Sequence, residues 1–139
     1  MKKRIITVIS LLLVIMCLFC ACKNTVPNVK VDSGASDSAI QVGEGKNSFV
    51  FVAEDASGKQ SVFNISTNQN IVGDALKEHN LISGDEGDFG LYVKTVNNIT
   101  YDYDKDGKYW AFYIDGKYAV SGIDKTEIKN GSTYMLKAE

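Results

Sequence analysis

Residues 109–120 read YWAFYIDGKYAV, and this stretch decides the class of fold. Its first half is aromatic and aliphatic throughout, which is typical of a β-strand. Asp115 and Gly116 are the preferred pair for a two-residue type I′ turn, because both central positions of that turn need a positive φ. Residues 117–120 then run back as a second strand. The stretch therefore predicts an aromatic β-hairpin.

Further segments with strand composition lie on either side of this hairpin. They are rich in β-branched and aromatic residues and comprise residues 48–53, 60–65, 91–96 and 133–137. Turn-forming residues 55–58 join the first two segments into a second hairpin, and Asn130-Gly131 forms a tight turn before the last segment. Residues 83–88, which read SGDEGD, are predicted to form an acidic loop.

One amphipathic helix is predicted between the early and the late strands. Its apolar face consists of residues at i, i+1, i+4 and i+5, namely Ile71, Val72, Ala75 and Leu76. Asn68 or Asn70 is expected to cap its first turn, and Asn80 is expected to end it. Two early strands, one helix and several later strands predict an α+β fold in which a β-grasp-like mixed sheet packs on one helix.

The N-terminal segment MKKRIITVISLLLVIMCLFCAC has the layout of a bacterial lipoprotein signal peptide. A basic start precedes an apolar run that is short for a transmembrane helix. Because the small residue Ala21 directly precedes Cys22, residues 1–21 are predicted to be removed and the Cys22 sulfur to carry a lipid. Ordinary signal cleavage that leaves a free thiol is the alternative. Cys20 is the poorer lipid acceptor, because the bulky Phe19 precedes it.

The remainder of the chain divides into a tether and a domain. Residues 22–46 are polar, hold the only proline and contain no aromatic residue, so they are predicted to form a flexible tether. Residues 47–139 are predicted to form one small folded domain. We therefore expect a protein that is anchored by its lipid to the extracytoplasmic face of the cell membrane.

Composition argues against several classes of function. Cys17 and Cys20 leave with the signal peptide and Cys22 is lipidated, so no thiol remains for a disulfide, a zinc site or a nucleophile. Loss of the three basic N-terminal residues takes the formal net charge from −2 to about −5, which argues against a nucleic-acid partner. The only histidine is His79, and the common hydrolase and nucleotide-binding motifs are absent from the sequence. We expect neither an enzyme nor a cofactor.

Residues 102–107, DYDKDG, match the first half of a calcium-binding loop. Position 12 of such a loop is a bidentate acid, but Tyr113 stands there, and a strand is predicted where the loop should lead into a helix. The stretch is therefore interpreted as an acidic loop between two strands, with Gly107 in the left-handed conformation. The alternative is a weak, irregular calcium site at its three aspartates, Asp102, Asp104 and Asp106.

Four segments occur in a familiar order along the chain, namely residues 70–76, 90–99, 109–122 and 128–132. Together they resemble the bacterial domain that is related to the C-terminal part of transcobalamin and intrinsic factor. The resemblance covers nearly all of residues 49–136. Its hallmark is a Y-W-x-x-Y/F stretch followed by a small turn, an aliphatic residue and a glycine. It implies a β-grasp fold.

In the vitamin carriers this domain covers one side of cobalamin through two segments, and the resemblance implies the same role here. The first segment comprises Thr95, Val96, Asn97, Asn98, Ile99 and Thr100. The second comprises Trp110, Ala111, Phe112, Tyr113, Ile114, Tyr118, Ala119, Val120 and Gly122. A flat apolar hairpin with backbone polar groups at its rim suits a broad disc that is edged with amides. The carriers also have a large helical domain that this chain lacks, so the affinity of this domain alone is expected to be limited.

The same residues have a structural interpretation. Alternate residues of the Tyr109–Ile114 strand lie on opposite faces, so one face is expected to be core. The face that carries Trp110, Phe112 and Ile114 is the more apolar. Asn97 and Asn98 could equally be turn residues.

Two functions therefore remain open at this level. The first is a lipoprotein that captures cobalamin or another corrinoid and hands it to a membrane importer. The second is a cell-surface module that binds protein or glycan and has no small-molecule ligand.

Overall fold

The computed structural model describes residues 39–139 of the 139-residue chain. The predicted signal peptide, Cys22 and residues 23–38 of the predicted tether lie outside the described residues. Within the described part, no helix is both long and apolar enough to cross a bilayer.

The described residues form nine β-strands, two short α-helices and one 3₁₀ turn. The strands are β1 (Ile40–Val42), β2 (Asn47–Glu54), β3 (Gln60–Thr67), β4 (Ile82–Gly87), β5 (Gly90–Val96), β6 (Ile99–Thr100), β7 (Trp110–Ile114), β8 (Lys117–Tyr118) and β9 (Thr133–Ala138). The helices are α1 (Val72–Glu78) and α2 (Tyr103–Asp106), and the 3₁₀ turn η1 spans Ile123–Lys125.

Six strands form one mixed sheet in the order β1-β3-β2-β9-β7-β8. Strands β2 and β3 pair as an antiparallel hairpin, and β9 lies parallel to β2 in the middle of the sheet. Strand β7 runs antiparallel to β9, and β1 runs parallel to β3 at one edge. The predicted mixed sheet is confirmed, and the strand-rich fold with few helices agrees with the α+β class.

Helix α1 supplies one wall of the hydrophobic core. Its apolar residues Val72, Ala75 and Leu76 are completely buried, and they join a cluster that includes Phe51 and Ile65 from the sheet. Burying a large apolar side chain contributes about 1.5–3 kcal/mol. The predicted apolar face of the helix is therefore the face that holds the domain together.

A second, antiparallel sheet of three strands has the order β4-β5-β6. Ile82, Val93 and Val96 from this sheet are buried in the same core as α1 and the large sheet. The sequence pattern did not indicate that the strands divide into two sheets, because strand composition alone does not specify pairing partners.

Several local predictions are confirmed. Asp115 and Gly116 have φ values of 48° and 79°, as a type I′ turn requires. Asn80 follows the last turn of α1 with a φ of 56°, so it ends the helix in the left-handed conformation. Leu81 and Ile82 are buried directly after it.

The prediction of an acidic loop at residues 83–88 is wrong. Residues 82–87 form strand β4, which pairs with β5 although five of its six residues are exposed. A bulge lies between Ser83 and Gly84, and a Cβ on Gly84 would lie only 1.9 Å from the Tyr92 carbonyl oxygen. Pairing with β5 therefore overrides the low strand propensity of glycine and acidic residues, and the close approach requires glycine.

The predicted caps of helix α1 are wrong. Neither Asn68 nor Asn70 caps α1, because the first residue outside the helix is Ile71 and its side chain makes no capping hydrogen bond. Instead, the Val72 N–H donates to the Thr126 carbonyl at 2.9 Å.

The folded part begins before residue 47, inside the predicted tether. Residues 40–42 form β1 and pair with Phe63–Ile65 of β3, and Val42 packs against the core. Three residues of alternating pattern within a polar segment are too short a signal to distinguish an edge strand from a tether.

Candidate functional site

The aromatic hairpin presents Trp110 to the core and not to solvent. Trp110 is 7% exposed and belongs to the core cluster. Its indole N–H donates a 3.0 Å hydrogen bond to the Lys94 carbonyl oxygen, and its ring lies 5.2 Å from the Tyr101 ring. Phe112 stacks on Tyr134 with ring centroids 6.2 Å apart. Of the two faces considered, the Trp110 face is therefore the core face.

The opposite face of the hairpin carries a cluster of tyrosines around Glu139. The Tyr113 hydroxyl donates a 2.6 Å hydrogen bond to Glu139 Oε1, and the Tyr109 hydroxyl donates to Glu139 Oε2 at 3.4 Å. Tyr118 packs edge-on against Tyr113 at 5.4 Å. Ala111 lies among these rings and is only 1% exposed, so its side chain offers no contact surface.

The hydrogen bond from Tyr113 to Glu139 raises the pKa of Tyr113 to about 12. The carboxylate accepts from the neutral phenol and would repel the phenolate, so both effects favour the protonated form. The pKa of Tyr109 is also raised, first by the neighbouring Tyr118 and then by burial and Glu139. Tyr113 is therefore an oriented hydrogen-bond donor at neutral pH.

We expect Tyr113 to ionise near pH 12 and Glu139→Gln to bring its pKa towards the ordinary value of 10.0. The pKa of Tyr113 is higher in the folded than in the unfolded chain. The stabilisation of the folded state by the Tyr113–Glu139 hydrogen bond is therefore fully present below about pH 10 and is lost as the pH rises towards 12. Ultraviolet titration of tyrosinate measures this shift. Tyr113→Phe identifies the step by removing it, and an unchanged late step in Glu139→Gln would contradict the assignment.

The first predicted contact segment, residues 95–100, forms the hairpin between β5 and β6. Asn97 and Asn98 have φ values of 47° and 64° and are therefore its turn residues. Val96 is completely buried, whereas the hydroxyls of Thr95 and Thr100 lie 2.8 Å apart across the strand pair and share a hydrogen bond. Only part of this segment is available for contact with a ligand.

Beside this turn lies a small polar cavity of about 130 Å³. Its walls combine three predicted site residues with residues of the β2–β3 hairpin, namely Asn97, Ile99, Trp110, Ala53, Asp55, Lys59 and Ser61. The Asn97 side-chain amide donates to Ser61 Oγ at 3.2 Å. The structure thus brings part of the two predicted segments together, in a space that suits a small polar group and is below the usual size of a ligand pocket.

The second predicted segment ends in an exposed loop after β8. The Ala119 N–H donates to the Phe112 carbonyl at 2.9 Å and holds the loop against β7. Beyond this bond, Val120 is fully exposed, and Tyr118 is 59% exposed. The Gly122 carbonyl accepts from Thr126 Oγ1 at 2.8 Å, which fixes the far end of the loop. The loop is therefore anchored at both ends and leaves these two side chains accessible to a partner.

Phe89 is a candidate contact residue that sequence reasoning missed. It lies at the tip of the β4–β5 hairpin and is 96% exposed. An isolated phenylalanine within the acidic, glycine-rich stretch GDEGDFG is a signal that could have pointed to it.

The Phe89 and Val120 loops adjoin at Asp124. A Cβ on Gly90 would lie 2.6 Å from Asp124 Oδ2, and a Cβ on Gly122 would lie 2.5 Å from Asp124 Oδ1. The carboxylate therefore fits against two glycines, of which Gly90 directly follows Phe89 and Gly122 lies two residues after Val120. Among the described residues, no hydrogen bond joins these two loops to residues 95–100.

The half calcium loop folds as a capped helical turn. The Asp102 carboxylate accepts from the Asp104 N–H at 3.1 Å, and the Asp106 carboxylate accepts from the Asp102 N–H at 2.8 Å. Gly107 has a φ of 62°, as predicted. No group of three or more acidic, histidine or cysteine side chains in residues 39–139 is arranged to hold a metal ion.

The region from α1 to β9 corresponds to a described protein family. Residues 70–138 match the family model "Domain of unknown function (DUF4430)". The match begins just before α1 and includes both exposed loops, but it leaves out the β2–β3 hairpin. No curated protein matches the chain.

Two solved structures have a similar fold. A proposed metal binding protein from Ruminococcus gnavus ATCC 29149 aligns with a TM-score of 0.64 and 23% identity, over 68% of this chain and 97% of that protein. Haptocorrin in complex with Cbi aligns with a TM-score of 0.54 and 16% identity, over 67% of this chain. This chain covers only 25% of haptocorrin. The second likeness supports a transcobalamin-like fold.

Proposed function

We propose that this protein is a lipid-anchored extracytoplasmic binding protein that captures cobalamin or another corrinoid. The anchor is supported by the Ala21-Cys22 pattern of the N-terminal sequence. The ligand class is supported by the fold shared with haptocorrin, whose structure contains a bound corrinoid, Cbi. We also interpret the large sheet and α1 as a β-grasp arrangement, because a β-hairpin, a helix and a final strand parallel to the first hairpin strand follow in that order.

The observation that carries the proposal is the exposure of Val120 and Phe89 on two adjoining loops. Both side chains are almost completely accessible to solvent, although burying either one would contribute about 1.5–3 kcal/mol. Val120 also belongs to the segment for which the family resemblance implies ligand contact. A corrin ring is a broad disc with apolar faces and an amide-bearing rim, so two apolar loop tips suit its face.

The remaining features of the site suit the rim of such a ligand. Backbone groups near the loop, and the small polar cavity beside Asn97, offer hydrogen-bond partners for amides. Trp110 lines that cavity but is held in the core, so it contributes as a wall and as an optical reporter. Contacts on one side of the ligand imply modest affinity, because binding must first offset the loss of translational and rotational freedom.

Binding of cobinamide or cyanocobalamin is expected to quench Trp110, the only tryptophan of the chain. Corrinoids absorb strongly where tryptophan emits, so binding can be followed by the fluorescence of Trp110. The full chain is titrated in a maltoside detergent, and free tryptophan amide serves as the inner-filter control. Val120→Asn and Phe89→Ser are each expected to weaken the affinity about 10- to 100-fold, since each removes one buried apolar contact of about 1.5–3 kcal/mol.

Ile40→Asn is the matched control, because Ile40 is an exposed aliphatic residue on β1, outside both loops. It should leave the corrinoid affinity unchanged. If neither corrinoid quenches Trp110 beyond the inner-filter control, the corrinoid proposal is wrong, and a protein- or glycan-binding module remains as the alternative. Equal effects of all three substitutions would place the binding site elsewhere.

A further inference from the structure

A larger cavity, open to solvent, has no wall residue in either predicted contact segment. It has a volume of about 460 Å³, which is within the usual range for small-ligand pockets. Its walls come from β4, β5, the cap and first turn of α2, and the residue before β7; they are Asp85, Tyr92, Lys94, Asp102, Tyr103, Asp104 and Tyr109. Three tyrosines, three aspartates and one lysine thus face one space.

The charges of this cavity favour a cation. Lys94 Nζ lies 2.7 Å from Asp85 Oδ2 and 3.5 Å from Asp102 Oδ2. The hydrogen bond with Asp85 raises the pKa of Lys94, so the ammonium stays charged at neutral pH. One ammonium against three carboxylates leaves a negative surplus in the lining, and a cationic ligand would complement this surplus.

The aromatic walls favour an organic cation over a metal ion. Lys94 Nζ lies 6.0 Å from the centre of the Tyr92 ring, at the outer range of a cation–π contact. Tyr103 and Tyr109, which also line the cavity, pack edge to face with ring centroids 6.4 Å apart. A hard metal ion would need several converging oxygens, whereas one Asp102 oxygen already accepts a backbone N–H. Lys94 itself places one alkylammonium group beside carboxylates and an aromatic ring in this cavity.

We propose that this cavity binds a small alkylated ammonium compound, with the cation against the Tyr103 and Tyr109 rings and beside the Asp104 carboxylate. The ligand class is that of choline-like and other quaternary or N-alkylated amines. This site is independent of the corrinoid proposal, because no wall residue belongs to either predicted contact segment.

Choline is the probe, and 3,3-dimethyl-1-butanol, which has the same shape without the charge, is the matched control. In ¹H–¹⁵N spectra of the full chain in a maltoside detergent, choline should shift the amides around Tyr92, Tyr103 and Asp104, and the neutral alcohol should not. Tyr103→Leu and Asp104→Asn should each weaken choline binding about three- to thirty-fold. Asp74→Asn makes the same change at an exposed aspartate outside the cavity and should have no effect.

The proposal is overturned if choline causes no shifts at these amides, or if the neutral alcohol binds equally well. It is also overturned if calcium shifts these amides and choline does not. Tyr103 and Asp104 are both exposed, so at least one of the two variants is expected to keep the wild-type spectrum outside the cavity. Loss of choline binding in that variant, with corrinoid binding retained, separates this site from the proposed function.

Discussion

Trp110→Ala is expected to lower the free energy of unfolding by about 3–5 kcal/mol, which is the usual cost of removing a large aromatic side chain from a core. Trp110 is only 7% exposed, belongs to the core cluster and packs against the Tyr101 ring. Its removal would leave a void between β7 and the β5–β6 hairpin. Because small domains have a total stability of about 5–15 kcal/mol, this loss is a large fraction of the whole.

Trp110→Phe is the matched control for this prediction. It keeps most of the ring but loses the N–H donated to the Lys94 carbonyl. That carbonyl also accepts from the Tyr101 N–H at 2.9 Å, so it keeps a partner and the hydrogen-bond cost should be near the lower end of about 0.5–1.5 kcal/mol. Urea denaturation followed by circular dichroism measures both values. An alanine variant of wild-type stability that has lost corrinoid affinity would show that Trp110 is a contact residue and not core.

Cys22→Ala is expected to move the chain from the membrane fraction to the soluble fraction of the bacterial cells that produce it. A diacylglycerol on Cys22 would insert two acyl chains, and each buried methylene contributes about 0.8 kcal/mol. Two chains give stable anchoring, whereas a single chain gives only marginal binding. Without the sulfur acceptor no lipid is attached, so the effect should be close to complete.

Cys20→Ala is the control for the anchor, because Phe19 makes Cys20 the poorer acceptor. This variant should stay in the membrane fraction and still incorporate radiolabelled palmitate. If Cys22→Ala also stays in the membrane fraction, the anchor lies elsewhere, either on Cys20 or in an uncleaved apolar segment. Cell fractionation with immunoblotting distinguishes these outcomes.

The local elements of the fold could be predicted from the sequence, whereas the pairing of distant strands could not. The type I′ turn at Asp115-Gly116 and the apolar face of α1 depend on short-range rules, and both are confirmed. Strand β4 has unfavourable composition and forms only because β5 lies beside it. Strand β1 is recognisable only through its partner β3, which lies about twenty residues further along the chain.

The candidate site was predictable to a similar extent. The resemblance identified the loop that carries Val120, and the structure places that side chain in solvent. Alternation along β7 reduced the core question to two faces, and the more apolar composition of the Trp110 face favoured the one that the structure buries. The loop of Phe89 lies beside the loop of Val120 because Gly90 approaches Asp124, a tertiary contact that no local pattern encodes.

Mapping the backbone amides that respond to cobinamide shows whether the Phe89 and Val120 loops bind it. In ¹H–¹⁵N spectra of the full chain, we expect cobinamide to shift the amides of residues 88–90 and 118–122, and Val120→Asn to abolish these shifts at the same ligand concentration. Binding that shifts only amides outside these two loops would contradict a corrinoid site there. So would the absence of any amide shift at the solubility limit of cobinamide.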